Sequence, residues 1–266
     1  MSKNRKSGAD DFESYYCGLF GSRWQALRAS LLESPNQVAW QKKMGKPYFL
    51  DQGSVEAALA LPPCVSGKVL DMCAAPGGKT LILAGNLDEE SVLTANEISR
   101  ERKNRLVSVL DQHLEPEIRK QVTVTCRDAS RWSRFEQNAY DRILLDAPCS
   151  SERHVLSSPA YLAEWSPARI RNLASRQWAL LSGAFLVLKE GGYIVYSTCA
   201  LATQENDGVV ERLLKKYPTA LICDPLNAVQ DASVNSKSEK TAYGRHVLPD
   251  TSASSGPLFY ALIKKT

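Results

Sequence analysis

From Lys68 onward, short apolar runs alternate with longer amphipathic stretches. Lys68 to Met72 (KVLDM) is a short apolar run and reads as a buried strand. Ser91 to Asn96, the β-branched run Gln121 to Cys126, and Tyr140 to Asp146 repeat it, and so does Tyr193 to Ser197, opened by Gly191 and Gly192. The intervening stretches have helical spacing. They cover Thr80 to Gly85, Ser99 to Gln112, Arg169 to Leu188 after a long loop, and Gln204 to Lys216. In the second of these, Leu106, Val109 and Leu110 share one side while Arg and Lys occupy another. Two late runs, near Gly244 to Leu248 and Leu258 to Ile263, suit an antiparallel edge. Upstream, residues 1–45 read as helical. Trp24, Leu27, Leu31 and Leu32 recur on one face until Pro35 interrupts, and Ser54 to Leu61 reads as a short helix closed by Pro62 and Pro63.

Alternation of strand and helix predicts an α/β fold, a mostly parallel sheet with helices on both faces. Ligands of such sheets lie beyond the C-terminal strand ends. The pattern divides the chain into an N-terminal helical extension, residues 1–47, and a catalytic domain, residues 48–266. Composition adds exclusions. No run approaches the roughly 20 apolar residues that span a bilayer, and the opening MSKNRKSGADD has no apolar stretch of the secretory kind. Seven cysteines without regular spacing argue against a disulfide framework or a zinc site, so no metal is expected. A net charge of +4 permits nucleic-acid binding without demanding it.

The chemistry gathers at predicted strand ends. After the first comes Cys73-Ala74-Ala75-Pro76-Gly77-Gly78-Lys79-Thr80. Small residues and paired glycines let a ligand approach the backbone, and the next helix start offers free N–H groups. The spacing matches neither GxGxxG nor a nucleotide-triphosphate loop. Glu97, just past the second strand, is placed to accept hydrogen bonds from ribose hydroxyls. Arg102 follows on the next helix. Asp128 ends the third strand, where it can reach an adenine amino group or, equally on position alone, cap the turn at Ala129 and Ser130.

Asp146 and Cys149 end the fourth strand and Cys199 the fifth, so adjacent strands would bring both cysteines into one cleft. Cys17, Cys64, Cys126 and Cys223 have no such placement and read as ordinary packing residues. Paired thiols beside a carboxyl group suit alkylation of cytosine at carbon 5. That carbon is a weak nucleophile until a thiolate adds to carbon 6, which is covalent catalysis. A carboxyl group near N3 and the N4 amino group would steady the ring as the thiolate adds. The base must be unstacked for this, so the substrate is single-stranded or flipped out.

CAAPGGKT, DAPCS and YSTC, in that order after successive strands, closely resemble the Sun family of RNA 5-methylcytosine methyltransferases, over about Tyr48 to Ile263. The resemblance implies a Rossmann-like class I methyltransferase fold, with a seven-stranded sheet and a reversed C-terminal hairpin. It implies S-adenosylmethionine as cofactor, held by Cys73 to Lys79 with Glu97, Arg102, Asp128 and Asp146 contacting it or the base. It also implies Cys199 as the thiolate that attacks carbon 6 and Cys149 as the group that assists release. DNA cytosine methyltransferases attack with the other cysteine, so the pair favours RNA. Ala200 replaces the family's frequent Ser, while Gln204-Glu205-Asn206 keeps its Glu-Asn. Many members carry an extra RNA-binding domain, and none is expected in a chain of this length. The short segment before Phe49 and the loop Ser151-Glu152-Arg153-His154 resemble compact members that act on ribosomal RNA, including mitochondrial ones.

The expected partner is RNA, ribosomal ahead of transfer RNA, with a partner protein or ribosomal subunit for targeting and a monomeric enzyme. Candidate RNA contacts are Arg100, Arg102, Lys103, Arg105, Arg131, Arg134, Arg169, Arg171 and Arg176, joined by Arg153 and His154. Trp165 and Trp178 are candidates for base stacking, or else for the core. Location is expected to be cytoplasmic, with the mitochondrial matrix as the alternative. The competing readings are a DNA or small-molecule methyltransferase and a non-catalytic RNA-binding or assembly factor that keeps the fold.

Overall fold

The computed structural model describes residues 7–227 and 237–266. Two helices, α1 (Gly8–Phe20) and α2 (Trp24–Leu32), precede an antiparallel hairpin of β1 (Gln37–Trp40) and β2 (Tyr48–Asp51). Ser7 opens α1 through a capping box. Its hydroxyl accepts the Asp10 N–H, and the Asp10 carboxylate accepts the Ser7 N–H. Trp24, Leu27 and Leu31 are buried as their spacing predicts. Leu32 is not. It ends the helix and faces a cleft, 53% exposed.

The alternating part follows. It runs α3 (Gln52–Leu59), β3 (Lys68–Asp71), α4 (Gly78–Gly85), β4 (Val92–Asn96), α5 (Arg100–His113), α6 (Pro116–Lys120), β5 (Val122–Thr125) and β6 (Tyr140–Asp146). The expected long loop after β6 holds two short helices, α7 (Glu152–Leu156) and α8 (Pro159–Ala163), before the long α9 (Pro167–Val187). Then come β7 (Leu188–Thr198), α10 (Asp207–Lys216), β8 (Ala220–Cys223), β9 (Glu239–Lys240), β10 (Arg245–Val247) and β11 (Leu258–Lys265).

The main sheet runs β5-β4-β3-β6-β7-β11. Its first five strands are parallel, and β11 is antiparallel to β7. Both β8 and β10 pair with β11, and β9 pairs with β10. The sheet therefore has nine strands, not seven: β9 and β10 are added beside the reversed β8–β11 hairpin. Successive strand residues point to opposite faces. Val69, Leu144 and Val195 join the α4 and α5 residues Leu81, Leu106 and Leu110. Leu70, Leu145, Ile194 and Tyr196 join Leu181 and Phe185 of α9 and Val209 and Leu213 of α10. The chain leaves β3 for β4 and β5 on one side, then returns to β6 and β7 on the other. A crevice forms at that reversal, beyond the carboxyl ends of β3 and β6.

Candidate active site

The turn after β3 lines a pocket of about 220 Å³, walled by Asp71, Cys73–Pro76, Gly78, Lys79 and Asp146 and roofed by Gln37, Tyr48 and Phe49 of the hairpin. Gly77 caps α4 at φ 122°, a conformation that disfavours any Cβ. A Cβ on Gly78 would come within 3.0 Å of Tyr48 Cε1. Lys79 Nζ donates to Asp146 Oδ2 at 2.7 Å, and Ser197 Oγ donates to Asp146 Oδ1 at 2.8 Å. The parallel register sets Asp146 beside Ser197, so the second contact follows from strand pairing alone.

Asp71 is buried, and Thr80 Oγ1 donates to its Oδ2 at 2.7 Å. Its Oδ1 is buried with no hydrogen-bond partner. Burial above all pushes its carboxyl up to about 7, and nearby Asp146 adds to the rise. Burial, then the carboxylates of Asp71, Asp146 and Glu97, raises the Cys73 thiol well above its ordinary range. That environment disfavours a thiolate at Cys73.

Glu97 is buried. Its Oε1 accepts the Ser99 N–H at 2.9 Å, and its Oε2 lies 3.2 Å from Arg102 Nη1. Arg102 Nη2 also donates to the Ala75 carbonyl at 2.8 Å, tying α5 to the turn. Gly77, Glu97, Arg102 and Asp128 stand outside the pocket's immediate lining. Asp128 is exposed and turned back on its own turn: Oδ1 accepts the Ser130 N–H at 3.0 Å and its hydroxyl at 2.7 Å. Those hydrogen bonds hold its carboxyl below the usual range. The capping alternative is thus the one its geometry displays.

A larger cleft of about 730 Å³ adjoins this pocket and shares Ser54, Lys79 and Asp146 with it. Cys199 and Ser151 line the cleft; Cys149 does not. The sulfurs of Cys149 and Cys199 are in contact, their Cα atoms 6.2 Å apart. Adjacency of β6 and β7 brings the two cysteines together, as the sequence predicts.

Three groups to which the sequence assigns no role, Glu152, Glu205 and Asn206, hold the two loops. Glu152 is wholly buried. Its Oε2 accepts the Leu201 N–H at 3.0 Å, and its Oε1 accepts the hydroxyls of Ser150 and Tyr16. Glu205 Oε2 accepts the Ser150 N–H at 3.0 Å and the Gln177 amide at 2.7 Å. Burial raises both carboxyls, Glu205 to about 7, where Glu152 adds to the effect. Asn206 accepts from Thr198 Oγ1 at 2.5 Å and donates to the Ala200 carbonyl at 2.9 Å. The Glu-Asn pair noted in the sequence was the only available signal.

Several proposed RNA contacts are committed elsewhere. The Arg153 guanidinium donates to the carbonyls of Leu31, Glu33, Ser254 and Gly256, and burial lowers its pKa. Trp165 is buried among Phe12, Tyr15 and Tyr16. Trp178 is half-buried beneath Arg212. His154 lies exposed at the cleft, against Tyr161. Arg131 lies 3.8 Å from Asp128, whereas Arg100, Arg105, Arg134, Arg169, Arg171 and Arg176 are exposed.

The sequence profile described as "16S rRNA methyltransferase RsmB/F" matches residues 58–264. The chain belongs to this family. A mitochondrial tRNA (cytosine(34)-C(5))-methyltransferase of Danio rerio is 31% identical over 86% of this chain and 63% of its own length. The 5-cytosine rRNA methyltransferase NSUN4 of Bos taurus is 34% identical, covering 80% of this chain and 58% of its own. Ribosomal RNA small subunit methyltransferase F of Aeromonas salmonicida is 38% identical, covering 75% and 40%. The chain thus spans between 40% and 63% of these relatives' lengths. A methyltransferase homolog protein from Pyrococcus horikoshii shares the fold at a TM-score of 0.72 and 21% identity, over 96% of this chain and 94% of that one. NSun6 from the same organism, solved with SFG, gives 0.65 at 24% identity, over 84% and 54%.

Proposed function

We propose that the chain is an RNA cytosine-5 methyltransferase that uses S-adenosylmethionine, with ribosomal RNA ahead of transfer RNA as substrate. One observation carries the reading. Cys199 lines a cleft of about 730 Å³, roomy enough for an unstacked nucleotide, that shares Lys79 and Asp146 with the pocket built by the β3 turn, and the Cys149 sulfur lies against it.

The pocket suits the cofactor. Asp71 presents a buried acceptor without a side-chain donor to a ligand ammonium group, and a Cβ on Gly78, which lines the pocket, would crowd its Tyr48 wall. Glu97 and Arg102 would flank the ribose, and Asp128 stands at the strand end where an adenine amino group is reached. When bound, S-adenosylmethionine supplies the electrophilic methyl group that carbon 5 receives.

The protein's part is as follows. The Cys199 thiolate adds to carbon 6, and the double-bond pair shifts onto carbon 5. Asp146, fixed by Lys79 and Ser197, takes hydrogen bonds from the N4 amino group and protonated N3. After methylation Cys149 accepts the carbon 5 proton, the carbon 5–carbon 6 double bond reforms, and the Cys199 thiolate leaves. Residues 48–266 would carry this chemistry, and the N-terminal extension, residues 1–47, would lend Leu31, Leu32, Glu33, Ser34 and Pro35 to the wall of the cleft.

The exposed arginines of α5 and α9 would meet phosphates without reading sequence. Target choice then falls to a partner protein or the ribosomal subunit, with the enzyme itself monomeric. No helix of the described residues is long and apolar enough to cross a membrane. A cytoplasmic site and the mitochondrial matrix are the two locations proposed; the Danio relative's name favours the second.

The test is methyl transfer from radiolabelled S-adenosylmethionine to ribosomal RNA, assembled subunits and transfer RNA from cells lacking the gene. Label recovered as 5-methylcytidine in one class supports the reading. A protein that binds the cofactor yet labels none of them overturns it.

A further inference from the structure

We propose that Ser151 is a catalytic residue of this site, its hydroxyl stabilising the Cys199 thiolate and keeping that sulfur turned toward the cleft. Ser151 sits at φ 56° and ψ 61°, left-handed backbone that residues bearing a Cβ rarely adopt. Glycine would take that conformation freely, so a side chain there calls for a reason. The conformation carries Oγ to 3.2 Å from Cys199 Sγ and 3.5 Å from Cys149 Sγ. Among the described residues no other hydroxyl bonds to either sulfur. The neighbouring Ser150 hydroxyl is buried and donates to Glu152, so it cannot substitute. Ser151 also lines the cleft together with Cys199, Asp146 and Lys79.

The chemistry follows from the placement. The thiolate is the reactive form of cysteine, and a donor to the charged form lowers the thiol pKa. Ser151 has one proton to give. It donates to Cys199 before attack, when that sulfur bears the charge. Once the sulfur–carbon bond has formed, the same hydroxyl rotates to Cys149, whose thiolate must then accept the carbon 5 proton. No bond to Ser151 is made or broken.

This inference rests on the functional reading above, and its test is separable. Peptide-resolved iodoacetamide labelling of Cys199 is followed against pH in fully reduced protein, with neither RNA nor methyl donor present. Ser151→Ala and Ser151→Gly should raise the midpoint by about one pH unit, the size expected for a lost hydrogen bond to a charge. The rate at neutral pH should fall only about threefold, because the remaining thiolate becomes more nucleophilic. Ser151→Thr, which keeps the hydroxyl, should bring the midpoint back toward wild type. In the methylation assay Ser151→Gly should lower kcat and leave the KM for S-adenosylmethionine unchanged. Ser151→Gly is decisive because it relaxes the backbone while removing the hydroxyl. A wild-type midpoint in that variant overturns the inference even if wild-type protein methylates RNA. A raised midpoint supports it even if the RNA assay fails.

Discussion

Gly77→Ala separates backbone strain from crowding at the β3 turn. At φ 122° and ψ −9°, Gly77 lies where an L-residue is strained on the order of 1–3 kcal/mol. The new Cβ would also lie 3.1 Å from Leu106 Cδ1 and 3.1 Å from Val109 Cγ1 on α5. The leucine end can swing, but the β-branched valine is stiff, so overpacking adds about 1–2 kcal/mol. Reduced freedom of the unfolded chain returns about 0.4–1 kcal/mol. The net loss is about 2–4 kcal/mol, or a Tm lower by about 4–8 °C for a domain of this size. Displacing α5 also moves Arg102, which holds the Ala75 carbonyl, so affinity for S-adenosylhomocysteine should fall by about tenfold, roughly 1.4 kcal/mol. Gly191→Ala is the control. Gly191 is at φ 74° with nothing within 4 Å of an added Cβ, so it incurs strain alone and should keep wild-type cofactor affinity. Differential scanning calorimetry and titration calorimetry on both variants give the answer. Equal Tm losses with unchanged affinity in both would refute the crowding argument.

Three further outcomes are expected. Cys199→Ala should abolish RNA methylation while titration calorimetry still shows cofactor binding; Cys149→Ala should instead accumulate a protein–RNA adduct that survives denaturing electrophoresis. Glu205→Gln should change the pH dependence of stability. Burial raises Glu205 from 4.5 to about 7, so the folded state keeps a proton that the unfolded chain has lost, and stability falls as pH rises through that window. The glutamine variant should flatten the decline between pH 5 and 8 by up to one proton, and urea unfolding with an unchanged pH slope would contradict this. Arg153→Ala strips the shared donor from four backbone carbonyls and should cost about 2–3 kcal/mol in urea unfolding.

What the sequence discloses depends on whether a signal is local. The parallel strands were legible because each is a short apolar run, and the pairing of Cys149 with Cys199 followed from strand adjacency. The β1–β2 hairpin was not, because burial along β1 is weak and its place, roofing the β3-turn pocket with Tyr48 and Phe49, exists only in three dimensions. The short β8 presents Leu221 and Ile222 to solvent and so lacks the alternation of a half-buried strand. The loop resemblance offers Arg153 to RNA, and residue type leaves Trp165 between base stacking and the core. Their commitments, to carbonyls on two distant segments and to α1, are long-range contacts that spacing does not encode.

The buried acids explain why the N-terminal helices are bound to the site. The Cys149 and Cys199 loops run irregularly through the interior, and buried backbone N–H groups there need acceptors. Each loop is satisfied by the other's acid. Glu205, following Cys199, accepts the N–H of Ser150; Glu152, following Cys149, accepts the N–H of Leu201. These two reciprocal contacts add to strand adjacency in setting the separation of the cysteines, since both lie beyond the carboxyl ends of β6 and β7. Burying two carboxylates is unfavourable unless hydrogen bonds compensate, and both carboxyls are accordingly displaced upward. Tyr16 supplies part of that compensation from α1, within a cluster that joins Phe12, Trp24 and Leu27 to Val155 and Leu201. Removing α1 would therefore strip a donor from a buried acid and loosen both cysteine loops together, although no residue of α1 lines the cleft.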